Sequence, residues 1–493
     1  MLPTDPSLRI PRPPVMEFWP ILAAVVVAVV AITASLHAVL TRREVGTTVA
    51  WVGLIWLSPL IGAILYFLLG INRIRRRATA LRGESPTYRE AGSRGPISVA
   101  ELRERLGADR EHIADIAAVG DRMVGRPLLG GNRFTPLIEG DEAYPAMLEG
   151  IRSAERSISL TSYIFDNDEA GKPFVEALED ATRRGVEVRV LVDAVGARYS
   201  FPPIYHALRR RGVRTARFMP AALPWKIPYL NLRSHRKIMV VDGTLGFTGG
   251  MNIREGFWAD VAGKLHGRDL HFRVEGPVVV ELQEAFAEDW TFSTGERLSG
   301  ALWFPPIGEE GHTVARGISD GPDIDYETLP HLIQGALASA RRRVRIITPY
   351  FIPDRSMTTA LMVTAMRGVE VTIILPAKGN LALVQWASTT YWAELLERGV
   401  RIVLTPEPFD HAKLMLVDDS WVLLGSANLD PRSLLLNFEF NVECYDAELA
   451  WRLNALVEER LERGREVSAA EVRERPFAIR LRDRVARLFS PYL

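Results

Sequence analysis

Cysteine is nearly absent from this 493-residue chain: Cys444 stands alone, so no intrachain disulfide can form. The fold is held by its core instead, as in a reducing compartment or in a protein with no need of cross-links. Net charge is missing too, with 60 basic residues against 60 acidic. A nucleic-acid binder generally carries a basic excess, so nucleic acid is not an expected partner, although a local patch is compatible with the balance. Charge is missing altogether from two stretches, Phe18 to Thr41 and Val45 to Asn72, and each exceeds the ~20 residues that a bilayer-spanning helix needs. At this length two or more domains are expected.

Only Arg42, Arg43 and Glu44 separate the two charge-free runs. After a tail of residues 1–17, residues 18–72 therefore read as a membrane hairpin with spans of about 18–41 and 45–71. A signal peptide is the competing reading of the first run, because Arg9 and Arg12 precede it and small residues follow. The second run, with Pro59 and the aromatics Trp51, Trp56 and Tyr66, favours an anchor in the cell membrane. Arg73, Arg75, Arg76 and Arg77 follow the second span, against two arginines in the turn. The positive-inside rule then puts both termini and the large remainder in the cytoplasm.

What the chain does have is a repeat. His235 to Asn252 reads HRKIMVVDGTLGFTGGMN, and His411 to Asn428 reads HAKLMLVDDSWVLLGSAN. In both, Lys follows His by two residues, Asp by seven, Gly by fourteen and Asn by seventeen. The four apolar residues between Lys and Asp predict a buried strand, on which His235 and Lys237, like His411 and Lys413, share a face. An imidazole beside a fixed positive charge suits a phosphoryl group. Gly249 and Gly250, with Gly425 and Ser426 in the second copy, would let backbone approach a ligand, and Asn252 and Asn428 would supply amide donors. One His-x-Lys is usually an ordinary surface strand pair; two matched windows are not. The chain has no acidic cluster near them of the kind that holds Mg²⁺, so no metal is expected.

The repeat extends beyond these windows. RSISLTSYIF (156–165) parallels RVRIITPYFI (343–352), RGVEV occurs at 184–188 and 367–371, and RGVR at 211–214 and 398–401. Alternating strands and helices in each copy predict an α/β sheet with right-handed crossovers and helices on both faces.

On these residues the windows resemble the paired HxKxxxxD motifs of the phospholipase D superfamily. AWVGLIWLSPLIGAILYFLLG (50–70), PYFIPD (349–354) and SANLDPRSLLLNFE (426–439) are similar to bacterial cardiolipin synthases, so the likeness covers nearly the whole chain. The resemblance implies two pseudo-symmetric phospholipase D-like α/β halves, mixed sheets flanked by helices, behind the two-helix transmembrane hairpin. It implies one shared active site, a phosphohistidine intermediate and no cofactor. The catalytic set is then His235, Lys237, Asp242, His411, Lys413 and Asp418. Asp269 in RDLHFRVEGP and Glu439 in LNFEFNVE become the carboxylates that fix an imidazole tautomer. The implied reaction takes phosphatidylglycerol, or another phospholipid of the bilayer, and moves its phosphatidyl group to a second phosphatidylglycerol, giving cardiolipin and glycerol. His235 is assigned the attack and His411 the proton transfers, with Lys237, Lys413, Asn252 and Asn428 on the non-bridging oxygens. Asp242 and Asp418 would pin the lysines or neighbouring backbone. Asp410 stands where the family has an apolar residue and is expected to alter the electrostatics of His411.

Around this frame, residues 73–130 read as a basic linker and a helix (Val99 to Met123) covering the first half. Residues 131–299 read as the first repeat, 300–327 as a Pro-, Gly- and acid-rich connection, and 328–470 as the second repeat. AALPWKIPYLNLR, the insertion before His235, is either a long loop or a lip that meets lipid. The tail 471–493 places Phe477, Leu481, Val485 and Leu488 on one helix face, to pack on the domain or to lie on an anionic bilayer. A phospholipase D-type hydrolase or another phosphatidyltransferase would share these motifs. A nucleic-acid phosphodiesterase sits poorly with the hairpin and zero net charge, and a catalytically dead scaffold with two intact motifs. Nothing in the sequence sets an oligomeric state.

Overall fold

The computed structural model describes residues 15–41, 45–67, 95–219, 232–263, 266–322 and 327–490 and divides into two compact units, 1–75 and 76–493. In the first unit a helix runs from Val15 to Thr41, of which Trp19–Thr41 is long and apolar enough to cross a bilayer. The second charge-free run is not one continuous helix. It forms Val45–Leu57 and Pro59–Leu65, broken at Ser58, because Pro59 lacks an N–H and disfavours helical backbone before it. Ala31, Ala34 and Ala38 bring the first helix close to Ile55 and Tyr66. His37 is used there, its Nδ1 lying 2.7 Å from the Tyr66 hydroxyl. The turn at 42–44, the end of the second charge-free run at 68–72, the basic linker at 73–94 and the proposed lip at 220–231 lie outside the described residues.

Among the described residues the second unit is built on one sheet of fifteen strands. The first half contributes β1 (Leu129–Ile138), β2 (Ser157–Ser162), β3 (Glu187–Asp193), β4 (Thr215–Phe218), β5 (Ile238–Val241), β6 (Leu245–Gly249) and β7 (Leu270–Glu275). The second contributes β8 (Thr313–Asp320), β9 (Arg343–Ile347), β10 (Glu370–Pro376), β11 (Arg401–Thr405), β12 (Leu414–Val417), β13 (Trp421–Gly425), β14 (Glu439–Tyr445) and the short edge strand β15 (Arg465–Glu466). Their order, β15-β11-β10-β9-β12-β13-β14-β8-β1-β7-β6-β5-β2-β3-β4, reads the same outward from the β8–β1 seam in both directions, apart from β15. That is a pseudo-two-fold arrangement of two mixed α/β halves. β2, β3 and β4 run parallel, joined by the helices Gly171–Arg183 and Ile204–Arg210, as do β9, β10 and β11, joined by Arg355–Met366 and Ala382–Glu397.

The four-residue apolar runs IMVV and LMLV become β5 and β12, buried along their whole length because strands flank them on both sides. One apolar cluster spans both halves, joining Ile238, Val240, Phe272 and Val274 to Leu414, Leu416, Phe440 and Val442. The halves therefore share a core and cannot separate without exposing it.

Two sequence expectations need correction. Val99 to Met123 is a helix pair, Val99–Leu106 and Ala114–Met123 around a tight turn at Glu111–Ile113. It covers the second half, with Leu102, Ile113 and Ile116 packed against Leu329, Leu332 and Ile333. Closeness in sequence misled here, since the pair's apolar face fits the helix Thr328–Ser339. The stretch 300–327 is more than a connection, for it contains β8, whose eight residues are all buried at the centre of the sheet. Arg316 and Asp320 hid this strand from a hydropathy reading. Arg316 is buried because Glu443 and Asp121 bind its guanidinium.

Candidate active site

β5 and β12 begin one residue after the motif lysines, so His235 to Lys237 and His411 to Lys413 are extended lead-ins rather than strand interior. Each lead-in is pinned by the other half. His235 N donates to Phe438 O at 2.8 Å, and His411 N donates to Arg268 O at 2.7 Å. The same exchange sets the imidazoles. His235 Nδ1 lies 2.9 Å from Glu439 Oε2, and His411 Nδ1 lies 2.7 Å from Asp269 Oδ2. Each carboxylate thus orients the histidine of the opposite repeat, leaving both Nε2 atoms for chemistry.

Both pairs are buried, and burial sets their electrostatics. It pushes the His235 imidazole below its ordinary value and takes His411 to about 3, with the carboxylates pulling back upward. Burial alone would raise the two carboxyls. Lys413 and His411 more than offset this for Asp269, as do His235 and Lys237 for Glu439, and both end below the usual carboxylate range. Burial also brings Lys237 down to about 7 and Lys413 to about 8, and each repels the other's charge. Lys237 Nζ donates to His235 O at 2.6 Å, and Lys413 Nζ donates to His411 O. Lys413 Nζ is also 3.0 Å from His411 Nδ1. That nitrogen must carry its proton toward Asp269, so the lysine stands beside it as a charge rather than as a donor.

The remaining expected residues divide. Asp242 and Asp418 are far from the imidazoles. Asp242 accepts the backbone N–H groups of Glu155, Arg156 and Ser157, and Asp418 those of Arg341, Arg342 and Arg343 together with His112 Nε2. They pin backbone at the entrances to β2 and β9 and do not touch the lysines. Both sit in left-handed backbone, φ 51° and 48°. The glycines admit protein rather than ligand. Gly249 and Gly425 have φ 151°, and a Cβ there would lie 2.6 Å from Leu270 O or 2.5 Å from Asn441 Cα. A Cβ on Gly250 would strike Asp269 Oδ1 at 2.3 Å, whereas at the matching position Ser426 Oγ bonds Glu439 Oε2 at 2.5 Å. Asn252 uses its carbonyl on Ile164 N at 3.2 Å, and Asn428 donates to Ser433 Oγ at 3.1 Å. Asp410 pairs with Arg460, whose Nε lies 2.6 Å away, and its charge still acts on Lys413, raising the ammonium against the effect of burial.

Asp418→Ala should remove a four-fold buried acceptor and lower stability by on the order of 3 kcal/mol. Burial raises this carboxyl, but Arg343 N–H, His112 and the two neighbouring N–H groups outweigh it and hold it low. Its stabilisation is therefore present above the unfolded carboxylate value and disappears as pH falls through the depressed one. Melting curves of both proteins against pH check this: the gap should close in acid.

Sequence reasoning missed the aromatic walls. Tyr163 packs edge-on against His235 at 5.0 Å between centroids, and Phe257, Phe409 and Tyr350 surround His411 at 5.6, 6.0 and 6.2 Å. Tyr163 and Tyr350 occupy the same place in TSYIF and TPYFI, so the repeat carried that signal. The flanks are unequal. Phe438 N and Asn437 N hold Arg233 O and Arg432 O beside His235, while Arg268 N and Gly267 N hold Phe409 O and Gly256 O beside His411.

Residues 147–290 and 333–461 match the family described as cardiolipin synthase, phospholipase D-like domain, more than half of the chain. The chain belongs to the cardiolipin synthase family of the phospholipase D superfamily. Residues 22–70 match a second family, the phospholipase D-nuclease N-terminal segment. Similar relatives include a cardiolipin synthase of Geobacillus thermodenitrificans (strain NG80-2), 33% identical over 92% of this chain and 90% of the relative. The major cardiolipin synthase of Bacillus subtilis (strain 168) is 30% identical over 92% and 95%. Among solved structures, the phosphatidylserine synthase of Haemophilus influenzae Rd KW20 superimposes with TM-score 0.57 at 15% identity, covering 77% of this chain and 100% of that one. That likeness shows the shared fold. Cardiolipin synthase family membership makes the chain a phosphatidyltransferase of this superfamily, and its apolar N-terminal helices fit membrane association.

Proposed function

We propose that this protein makes cardiolipin and glycerol from two molecules of phosphatidylglycerol. The observation that carries the proposal is the crossed pairing of each motif histidine with the other repeat's carboxylate around two buried lysines. One imidazole, His235 in this scheme, attacks the donor phosphorus through Nε2. As the N–P bond forms, the P–O bond to glycerol breaks and His411, charged once the bound phosphate offsets the effect of its burial, gives its Nε2 proton to the departing oxygen. His411 then takes the proton of the acceptor's terminal hydroxyl, whose oxygen displaces His235 from phosphorus. Lys237 and Lys413 balance the charge on the non-bridging oxygens, assisted by the Asn252 and Asn428 amides. Asp269 and Glu439 keep the tautomers, and Asp242 and Asp418 hold the two strand entrances. The N-terminal runs act as a hairpin with two spans, the catalytic unit facing the cytoplasm and its substrates arriving from the bilayer.

Labelled phosphatidylglycerol as sole substrate tests this. Cardiolipin and glycerol should appear in equal amounts with little phosphatidic acid, and excess glycerol should drive cardiolipin back, since one phosphodiester replaces another. Mostly phosphatidic acid without cardiolipin would mean that water takes the intermediate and would leave the hydrolase reading. Acid-quenched protein should carry its phosphatidyl adduct on His235; an adduct on His411 exchanges the two roles.

Activity should survive EDTA. The inner nitrogen of each imidazole is held by a carboxylate, and a lysine is buried two residues from each histidine, a donor set for a phosphate rather than for a divalent cation. Activity lost on chelation and restored by one divalent ion would overturn this.

A further inference from the structure

The C-terminal helix Phe477–Arg487 leaves an apolar face exposed. It docks on the helix Ala382–Glu397 through the opposite face: Ala486 joins Ile352, Val384 and Ala387, and Asp483 accepts from Thr389 Oγ1 at 3.0 Å. Phe477, Leu481, Val485 and Leu488 point away and are 72%, 51%, 47% and 76% exposed. Packing on the domain therefore does not account for this stripe, because a different face does the packing.

Charge borders the stripe on both sides. Arg480, Arg484 and Arg487 flank one edge, and Arg482, stacked on Trp386 at 4.3 Å, flanks the other. The only carboxylate between residues 475 and 490, Asp483, is buried and paired with Arg475 and Arg482. The exposed surface of the helix is thus apolar and cationic with no acid of its own, the composition of a helix that lies in an anionic interface. Its support leads straight to the chemistry. Tyr350 packs with the same cluster, donates to Asn380 Oδ1 at 2.8 Å beside the start of Ala382–Glu397, and stands with its ring edge-on to His411.

We infer that the Phe477–Arg487 helix docks on the surface of an anionic phospholipid bilayer and holds the His411 flank of the active site against it. The inference rests on the phospholipid reading above and adds to it the surface by which the catalytic unit meets its substrate. The apolar stripe enters the acyl–headgroup boundary while the arginines meet phosphates, so lipid reaches Tyr350 and His411 without leaving the interface.

The test uses the full chain. Val485→Cys labelled with an environment-sensitive fluorophore reports on the stripe, because the native Cys444 is buried. In vesicles rich in phosphatidylglycerol the probe should shift to the blue and be quenched by brominated acyl chains. In pure phosphatidylcholine vesicles both effects should be much weaker. Leu481→Asp combined with Leu488→Asp should lower the ratio of vesicle activity to detergent-dispersed activity by about tenfold or more, since two large apolar side chains are lost from the part of the stripe that enters the acyl boundary. A probe that stays water-like in anionic vesicles overturns the inference. So does equal insertion in both lipids, an unchanged activity ratio, or a blue shift in detergent that grows with protein concentration, which would identify a second copy as the occupant. Failure of the parent reading looks different: the wild-type chain would make no cardiolipin in either dispersion while the probe still reported insertion.

Discussion

His235→Ala and His411→Ala are each expected to cut cardiolipin formation by on the order of 10³-fold or more, the loss typical of a group that acts as part of a catalytic unit. Neither imidazole can replace the other. Each Nε2 serves a different bond, and each Nδ1 is committed to a different carboxylate. The two lysines repel one another and both depress the imidazoles, so the four groups occupy one electrostatic site rather than two independent ones. Folding should survive. In His235→Ala the orphaned Glu439 keeps Ser426 and Asn437, and in His411→Ala Asp269 keeps Leu270 N–H and the nearby charge of Lys413. Purified variants assayed with labelled phosphatidylglycerol, alongside circular dichroism melts, measure both. A variant that folds and keeps more than about a tenth of the rate would show that one repeat works alone.

The sequence carried the parts of this site that repeat and concealed the parts that depend on how the repeats meet. β5 and β12 were legible because four consecutive apolar residues between turn signals fit a strand buried on both faces. β8 was not, because Arg316 and Asp320 break its hydropathy and their partners Asp121, Glu443 and Leu329 lie elsewhere in the chain. Asp269 and Glu439 could be placed on strand faces from local spacing. Which imidazole each serves could not, since the pairing runs between repeats 142 and 204 residues apart. Asp242 and Asp418 recur at a fixed distance from the lysines with a backbone role: a carboxylate in left-handed conformation after the strand gathers three N–H groups at the entrance to the neighbouring strand. Asp410 looked disruptive in isolation, and Arg460, fifty residues on, pairs with it.

The crossed pairing itself makes the second large prediction. Asp269→Asn should disable His411, and Glu439→Gln should disable His235, each lowering turnover by roughly 10²–10⁴-fold, as when the orienting acid of a catalytic histidine becomes an amide. The amide no longer demands a proton on Nδ1 and no longer stabilises the imidazolium. Since each carboxylate raises the pKa of the histidine it touches, its loss makes that imidazolium a stronger acid still, moving any rate limb due to it toward lower pH. Rate alone cannot distinguish crossed pairs from pairs within a repeat, because either substitution damages the shared site. Spectra of nitrogen-labelled histidine can. The deshielded Nδ1–H of His411 should vanish in Asp269→Asn while that of His235 persists, and Glu439→Gln should do the reverse. If Asp269→Asn instead erased the His235 signal, each repeat would supply its own acid, and the interlocked site, with its requirement that both halves fold together, would be wrong.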